Sequence, residues 1–414
     1  VLNSGSSSLK AGVFVRDQHA RIAGERAVVS AEASGIGKPG GRLSMHDADG
    51  KELSSALPKL DSQDDALAAI TDGLRRLDSS FQPIGIGHRI VHGGPSLREH
   101  SCLTETVLAA LKASVHYAPL HLPGSLRLIE QSHKLYPGVE QVVCFDTAFH
   151  QTMPEVAKRL PVPERFVREG VRRYGFHGLS YESLLAQLRA EQKPLPERIV
   201  LAHLGSGSSL CAVHHGESVD TTMGMTPCGG VPMSTRTGDL DPGVLLFLAR
   251  GHGLSIDALE QLVNHEAGLA AIAENSGDMQ EIIQTMQPKT GQSAADQNAE
   301  RASRRSQQAA LAFDIYTTSV AKTIASLTVS LRGLDLLVFA GGIGEHSSEV
   351  RSAILEKLGP FGIAYSTEAN QHHAGTISGE HSKVPVRILS AEEDLVIAGH
   401  TRRILADTAC ASLS

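Results

Sequence analysis

The chain lacks a basic excess, a membrane-length apolar run and any paired set of cysteines, and each absence removes a class of function. Its 38 Lys and Arg are outnumbered by 45 Asp and Glu, for a formal net charge of -7 and a sequence pI near 6.3. Holding a phosphate backbone or an anionic membrane surface requires the opposite balance, so nucleic acid and membrane are not expected partners, and any anionic ligand must be met by local arginines. No apolar run approaches the ~20 residues of a membrane span and no secretory leader is visible, although the chain begins at Val1 without methionine and a trimmed leader stays open. The five cysteines, at 102, 144, 211, 228 and 410, form no CxxC pair and no zinc spacing. Their odd number suits a reducing compartment, and the cytoplasm is the expected location. Two nucleotide signatures are missing as well. Gly37-Lys38 runs into Pro39 and not into Ser or Thr, so it is no Walker A loop, and Gly341-Gly-Ile-Gly344 lacks the G-x-G-x-x-G spacing.

What is present is a length of 414 residues with 41% hydrophobic content, enough for two cores. A short phrase occurs twice, Asn3-Ser-Gly-Ser-Ser-Ser-Leu9 and Gly205-Ser-Gly-Ser-Ser-Leu210, each copy flanked by strand-like residues. Gly/Ser clusters are ordinarily turns or linkers, but small residues in a hairpin also let main-chain N–H groups and hydroxyls surround phosphate oxygens. The duplication in strand context favours that second use and two related halves. Strand-like stretches at 2–15, 85–92, 141–145, 198–204, 336–340 and 384–389 alternate with helical patterns at 64–77, 104–114, 123–135, 180–191, 243–250, 256–264, 309–331 and 348–358, the signature of an α/β protein. Ser30 to Gly50 reads as hairpins or a loop. Met286 to Gln308, polar and alanine-rich, reads as a mobile surface insertion and not as a site.

Several constellations carry chemistry. In Ile84 to Ser96, IGIGHRIVHGGPS, period two puts Arg89 and Val91 on one face of a strand and His88, Ile90 and His92 on the other. A guanidinium beside an apolar side chain suits a small anion with a short hydrocarbon tail; a salt-bridged edge arginine is the plainer alternative. Asp146 closes the run Val142-Val-Cys-Phe145, where open α/β sheets bind ligands and a carboxylate meets a metal or a reacting hydroxyl, or merely caps a helix. Gly175-Phe-His-Gly178 frees the backbone of His177 to turn its imidazole toward a cavity, against the commoner core or surface role. Met225 to Gly243 holds a lone Arg236 in a loop whose prolines favour a defined shape. Leu336 to Glu345 reads as strand, Gly-rich turn and helix, a weak nucleotide-binding signal. Glu392-Glu-Asp394 opens a helical run, placed either to ligate Mg²⁺ or simply to favour the helix dipole.

Together these segments resemble the acetate kinase family, acyl-phosphate-forming kinases of the actin-like, sugar-kinase-like ATPase superfamily. The resemblance runs from Val1 to beyond Ala398 and is carried by LNSGSSSLK (2–10), HRIVHGG (88–94), FDTAFHQTMP (145–154), YGFHG (174–178), HLGSGSS (203–209), STRTGDLDPG (234–243) and FAGGIGE (339–345). It implies an α/β fold of two duplicated actin-like (ribonuclease H-like) ATPase domains with an interdomain active-site cleft. The N-terminal domain, 1–147 plus 394–414, would serve the acyl and phosphate side; the C-terminal domain, 148–393, would bind nucleotide and dimerise. The implied activity is acetate kinase, a phosphotransferase with a carboxyl acceptor that moves phosphate reversibly between ATP and acetate with Mg²⁺ or Mn²⁺. The alternatives are a propionate or butyrate kinase of the same family, or a catalytically weak ATP-binding relative. A sugar kinase would need an aspartate base and a polar pocket.

The resemblance also implies roles. Arg89 and Arg236 match the arginines that hold the carboxylate and the phosphoryl group, His177 the histidine that bonds the transferring group, and Asp146 and Glu393 the carboxylates that position Mg²⁺, with Asn3 beside Glu393 at the metal. Val91, Leu120, Phe176 and Pro227, with Arg89, match the acyl site. Lys10, His203, Gly205, Ser206, Gly207, Asp278, Met279, Gln280, Gly341, Gly342, Ile343 and Gly344 match the nucleotide side. Departures from the family pattern occur at Leu122, Leu179 to Tyr181, Ser206, Cys228 to Gly230, Gln280 and His346, all expected around the cleft.

Overall fold

The computed structural model describes residues 1–4, 8–20, 22–191, 194–286 and 297–411. Gly5, Ser6 and Ser7 of the first Ser/Gly loop, and 287–296 of the polar stretch, therefore lie outside the described residues. Two compact units emerge: Val1–Gln151 with Phe176–Pro194 and Glu392–Ser414, and Thr152–Gly175 with Leu195–Ala391. The division differs from 1–147 plus 394–414 chiefly at 176–194, which joins the first unit. Packing is the reason, because Leu179, on the helix Gly178–Ala190, shares a core with Val142, Cys144, Val396 and Ile397.

The first unit holds an eight-stranded sheet of β1 (Leu2–Ser4), β2 (Ser8–Arg16), β3 (Glu25–Ser34), β4 (Arg42–Asp47), β5 (Glu52–Ala56), β6 (Ile86–Ile90), β7 (Ser101–Cys102) and β8 (Gln141–Phe145), in the order β5-β4-β3-β2-β1-β6-β8-β7. The second holds β9 (Arg198–His203), β10 (Ser209–His214), β11 (Glu217–Thr221), β12 (Leu336–Ala340) and β13 (Val386–Ile388), in the order β11-β10-β9-β12-β13. The sheets repeat one pattern. In each, three strands form an antiparallel meander (β3-β2-β1 and β11-β10-β9), and the first strand of the meander also pairs in parallel with a fourth strand, which pairs in parallel with a fifth. Parallel pairs require a crossover, which explains why helices separate these strands in the chain. The twin Ser/Gly phrases fall at the same place in both units, between the first and second strands.

Local sequence accounts for the elements. Gln-Val-Val-Cys-Phe of β8 and Leu-Leu-Val-Phe-Ala of β12 are buried throughout, as expected of inner parallel strands covered on both faces. Ser62, Thr104 and Ser347 cap the helices Gln63–Leu77, Glu105–Ala113 and Ser348–Lys357 by accepting the N–H groups of Asp65, Val107 and Val350. Ser30 to Gly50 lies in the β3–β4–β5 meander, so the hairpin reading holds there.

The expected insertion at Met286 to Gln308 is corrected at its two ends, Met286 closing the helix Met279–Met286, while 287–296 lie outside the described residues. From Gln297 onward it is the start of one helix, Gln297–Leu331, whose buried side chains Ala309, Phe313, Tyr316, Val320, Ile324, Leu327 and Leu331 recur every three or four residues. Its polar beginning is held by tertiary contacts: the Ser306 hydroxyl donates to Met286 O at 3.0 Å, and Arg304 and Gln308 both reach Glu274. Among the described residues no helix is long and apolar enough to cross a membrane.

Candidate active site

In the first unit, three adjacent strand ends deliver polar side chains to one point. Arg89, the half-buried member of an otherwise buried β6, forms a bidentate pair with Asp146, Nε to Oδ1 at 3.0 Å and Nη2 to Oδ2 at 2.7 Å. Its Nη1 donates to Asn3 Oδ1 at 3.2 Å, and its Nε lies 3.6 Å from Glu393 Oε2. Burial works against the Arg89 charge, but Asp146, Glu393 and Asp394 outweigh it and hold the guanidinium well above its usual pKa. The same crowding acts in reverse on Glu393. Burial pushes its carboxyl up, Arg89 and Lys10 pull it down, and Asp146 and Asp394 push it up again. Asp394 Oδ1 is buried without a hydrogen-bond partner. Negative charge therefore exceeds positive around one arginine, and the donors are hard oxygens.

His177 sits beside this cluster in the chain fold. It has φ 59° and ψ 24° and forms the N-cap of the helix Gly178–Ala190. That left-handed conformation is uncommon for a side-chain-bearing residue and places the imidazole off the helix path. The next residue must be glycine: its N–H donates to Asp146 O at 2.9 Å, and a Cβ there would strike that carbonyl. His150 secures the preceding turn through Nε2 and Phe176 O at 3.0 Å, and burial lowers its pKa to about 4, so it is neutral near pH 7. His88 is likewise lowered to about 4 by burial and is bound to Gln141 Oε1 at 2.6 Å across β6 and β8. Of the expected acyl-site residues, Val91 follows β6, Leu120 is exposed, and Phe176 is buried edge-on to His92. Lys10 is an exposed β2 residue.

In the second unit, Leu204 joins the two Gly-rich turns. Its N–H donates to Ala340 O, and its carbonyl accepts Ile343 N at 2.8 Å and Gly344 N at 3.1 Å. Gly341, at φ +76°, leaves no room for a side chain against the Leu204 carbonyl, with His203 Nε2 just beyond. Ser208 Oγ ties Gly205–Gly207 from beneath, donating to Gly205 O and bonded to Tyr316 OH at 3.0 Å. Ser206 is exposed, and its carbonyl accepts Ser234 N at 3.2 Å, which draws the Arg236 loop to this turn. Arg236 itself donates only to neutral groups, Pro227 O at 3.1 Å and Met233 Sδ at 3.8 Å, and has no carboxylate partner among the described residues. Burial lowers its pKa. A cation kept from water without a counter-charge is a prepared place for an anion.

Three expected nucleotide residues have local duties. Asp278 Oδ1 caps the helix Met279–Met286 by accepting Gln280 N and Glu281 N at 2.9 and 3.0 Å; Gln280 is exposed; Met279 is buried in the core. Any part Met279 plays toward a ligand falls to its backbone. Two side chains support the Gly341–Gly344 turn, Glu345, which closes the matched motif, and Arg351, which sequence reasoning missed. Glu345 accepts Gly341 N at 2.9 Å and Ser390 Oγ at 2.6 Å, while fully buried Arg351 donates to the carbonyls of Gly344 and Glu345. Arg351 carried a signal only in being charged on an apolar helical face. The departures at Leu122, Leu179 and Tyr181, expected near a cleft, are core positions with no exposed surface. A cavity of about 700 Å³ in the first unit, lined by residues such as Val13, Leu67, Ile70 and Leu405, includes none of the site residues.

The chain matches the Acetokinase family over residues 1–399. An acetate kinase from Nitrobacter hamburgensis is 36% identical over 417 residues, covering 100% of this chain and 97% of the relative. The chain belongs to the acetokinase family.

Solved structures agree. A propionate kinase from Francisella tularensis superposes with a TM-score of 0.85 at 29% identity, covering 97% of this chain and 98% of that one. The acetate kinase of Porphyromonas gingivalis gives 0.80 at 31% identity, covering 98% of each. The fold is therefore that of the actin-like ATPases, and the enzyme is a phosphotransferase with a carboxyl group as acceptor.

Proposed function

We propose that this enzyme is an acetate kinase, transferring phosphate reversibly from ATP to acetate to give acetyl phosphate and ADP, with Mg²⁺ required. The observation that carries the reading is the convergence of Asn3, Arg89 and Asp146 at strand ends of the first unit with Glu393 at a helix start. The donor set fits a divalent cation: two carboxylates and an amide oxygen, excess negative charge, and a buried Asp394 oxygen without a partner. Held by Asp146, Glu393 and Asn3, such a cation would supply charge neutralisation at the phosphates.

The acceptor carboxylate is already a nucleophile and needs no general base, so the protein's work is alignment and charge compensation. Asp146 and Glu393 would take the metal, and Arg89, relieved of part of its carboxylate contact, would hold the acceptor. Arg236 and His177 would stabilise the moving phosphoryl group. Val91, Leu120, Phe176 and Pro227 would surround the acyl methyl. In the second unit the 205–207 and 341–344 turns, with His203, Asp278 and Gln280, would hold ATP; Lys10 would assist from the first.

A homodimer through the second unit is part of this reading, supported by the exposed apolar side chains Leu246 and Phe247 on the helix Pro242–His252. A cytoplasmic location fits the free thiols of Cys102, Cys144, Cys211 and Cys228. Trapping the acyl phosphate as hydroxamate with Mg-ATP and acetate, propionate or butyrate tests the proposal; the highest kcat/KM is expected for acetate. A clear preference for a longer acid supports the second reading, a propionate or butyrate kinase, which the Francisella structure favours. Nucleotide binding without product from any acid means a catalytically weak relative.

A further inference from the structure

Outside the residues assigned to the reaction, Glu182, His100 and His400 form a cluster in the first unit. Glu182 Oε1 lies 3.3 Å from His100 Nε2, and Oε2 lies 2.6 Å from His400 Nε2. The two rings sit 4.2 Å apart, and all three side chains are largely shielded from solvent. The outer ring nitrogens are occupied too: His100 Nδ1 accepts Phe145 N–H at 3.0 Å, and His400 Nδ1 accepts an Arg403 N–H at 3.0 Å.

Those outer bonds decide what the cluster is. A nitrogen that accepts an N–H has no proton of its own, so each neutral ring carries its proton on Nε2, aimed at Glu182. A metal between the three would need Nε2 lone pairs, with Nδ1–H donating outward to an acceptor; here each Nδ1 faces a donor, the reverse of a metal-supporting shell. The cluster is a carboxylate accepting two fixed donors. Burial alone would raise the Glu182 pKa, but the hydrogen bonds from His100 and His400 bring it down to about 2.

Two of the three stand on helices that begin at a site residue, and the third bonds to the neighbour of one. Glu182 is five residues from His177 on the helix Gly178–Ala190. His400 is seven residues, two turns, into the helix Glu393–Ala411, which starts with Glu393. His100 grips the N–H of Phe145, the residue before Asp146. A parallel tie runs from Glu392 N–H to buried Ser183 Oγ at 3.0 Å, next to Glu182 and next to Glu393.

We infer that Glu182, His100 and His400 are positioning residues for the phosphoryl transfer, a clasp that sets Asp146, His177 and Glu393 relative to one another. The inference rests on the proposed kinase reading for its activity readout. Catalytic groups must be held within a fraction of an ångström, and remote supports that lapse cost rate more than affinity.

Gln in place of Glu182 keeps the shape but offers one acceptor oxygen to two donors. With Glu182→Gln, kcat should fall about tenfold or more while KM for ATP stays within about twofold. At position 400, Gln places an amide N–H where Nε2 was and Asn does not, so His400→Gln should keep near-normal kcat and His400→Asn should lose it. Glu182→Gln with unaltered kcat, or His400→Gln as impaired as His400→Asn, overturns the clasp. So does a zinc ion bound by the wild-type protein at one per chain and lost in Glu182→Gln. If the wild type makes no acyl phosphate, the kinase reading fails, and the clasp is judged on hydrogen exchange: faster exchange at Phe145 and Glu392 amides in Glu182→Gln upholds it, and unchanged protection refutes it.

Discussion

The two arginines proposed for the site, Arg89 and Arg236, are chemically identical and electrostatically opposite. Arg89 is clamped by Asp146, touched by Glu393 and raised above its usual pKa; Arg236 bonds, among the described residues, only to a carbonyl and a thioether, and burial lowers it. A guanidinium surrounded by carboxylates leaves room for a cation nearby, whereas one kept without a counter-charge awaits an anion. What each arginine can do follows from its neighbours and not from its type.

Breaking the contrast at its bare end should have the largest effect. Arg236→Ala removes the only uncompensated cation of that loop, and kcat is expected to fall on the order of a hundredfold to a thousandfold in the hydroxamate assay. Arg236→Lys should recover little, since a point charge does not replace the planar fork. Near-normal turnover in both would remove Arg236 from the reaction. At the clamped end, Asp146→Asn keeps the shape but takes the bidentate carboxylate from Arg89, leaving it only the longer Glu393 contact. Turnover should drop about a hundredfold, and added Mg²⁺ should no longer raise it; an unchanged Mg²⁺ response would dissociate Asp146 from the metal.

Acid sharpens the comparison further. His88 and His150, both in the first unit, have folded pKa values near 4, below the ordinary 6.5. The unfolded chain therefore binds protons that the folded one refuses, so their stabilisation is complete above pH 6.5 and lost as pH falls toward 4, on the order of 3 kcal/mol each. Glu182, lowered to about 2, adds a loss that begins only below about 4.5. Thermal melts from pH 7.5 to 4.5 should show a falling midpoint, and His88→Gln should flatten the curve; a flat wild-type curve would contradict the burial argument. The smallest effect is expected at Gln280, exposed on the second unit. Gln280→Arg should lower KM for ATP a few-fold, about 1 kcal/mol, with kcat unchanged; no change in KM would take position 280 out of the nucleotide site.

Much of the architecture was legible. The apolar runs Val142–Phe145 of β8 and Leu336–Ala340 of β12 admit no exposed face, and the twin Ser/Gly phrases marked equivalent hairpins in two repeated sheets. The polar start of the helix Gln297–Leu331 was not legible, because a helix needs an apolar stripe only where something covers it. Leu122, Leu179 and Tyr181 looked like altered site residues and are core, since substitutions beside a motif carry no mark of which way the side chain points. Glu182, His100 and His400 went unnoticed because 82 and 218 residues separate Glu182 from its partners.

Residue order alone determined the pattern of strands and helices, the duplication and the chemical types available, because burial period, turn chemistry and composition act over short distances. Tertiary structure decided which charges are paired. Asp146 bonded to Arg89, no carboxylate bonded to Arg236 among the described residues, and two histidines on one glutamate all depend on where chain crossings place groups distant in sequence. Charge interactions are strong only at short range and away from water, so only folded proximity distinguishes a clamped arginine from a waiting one.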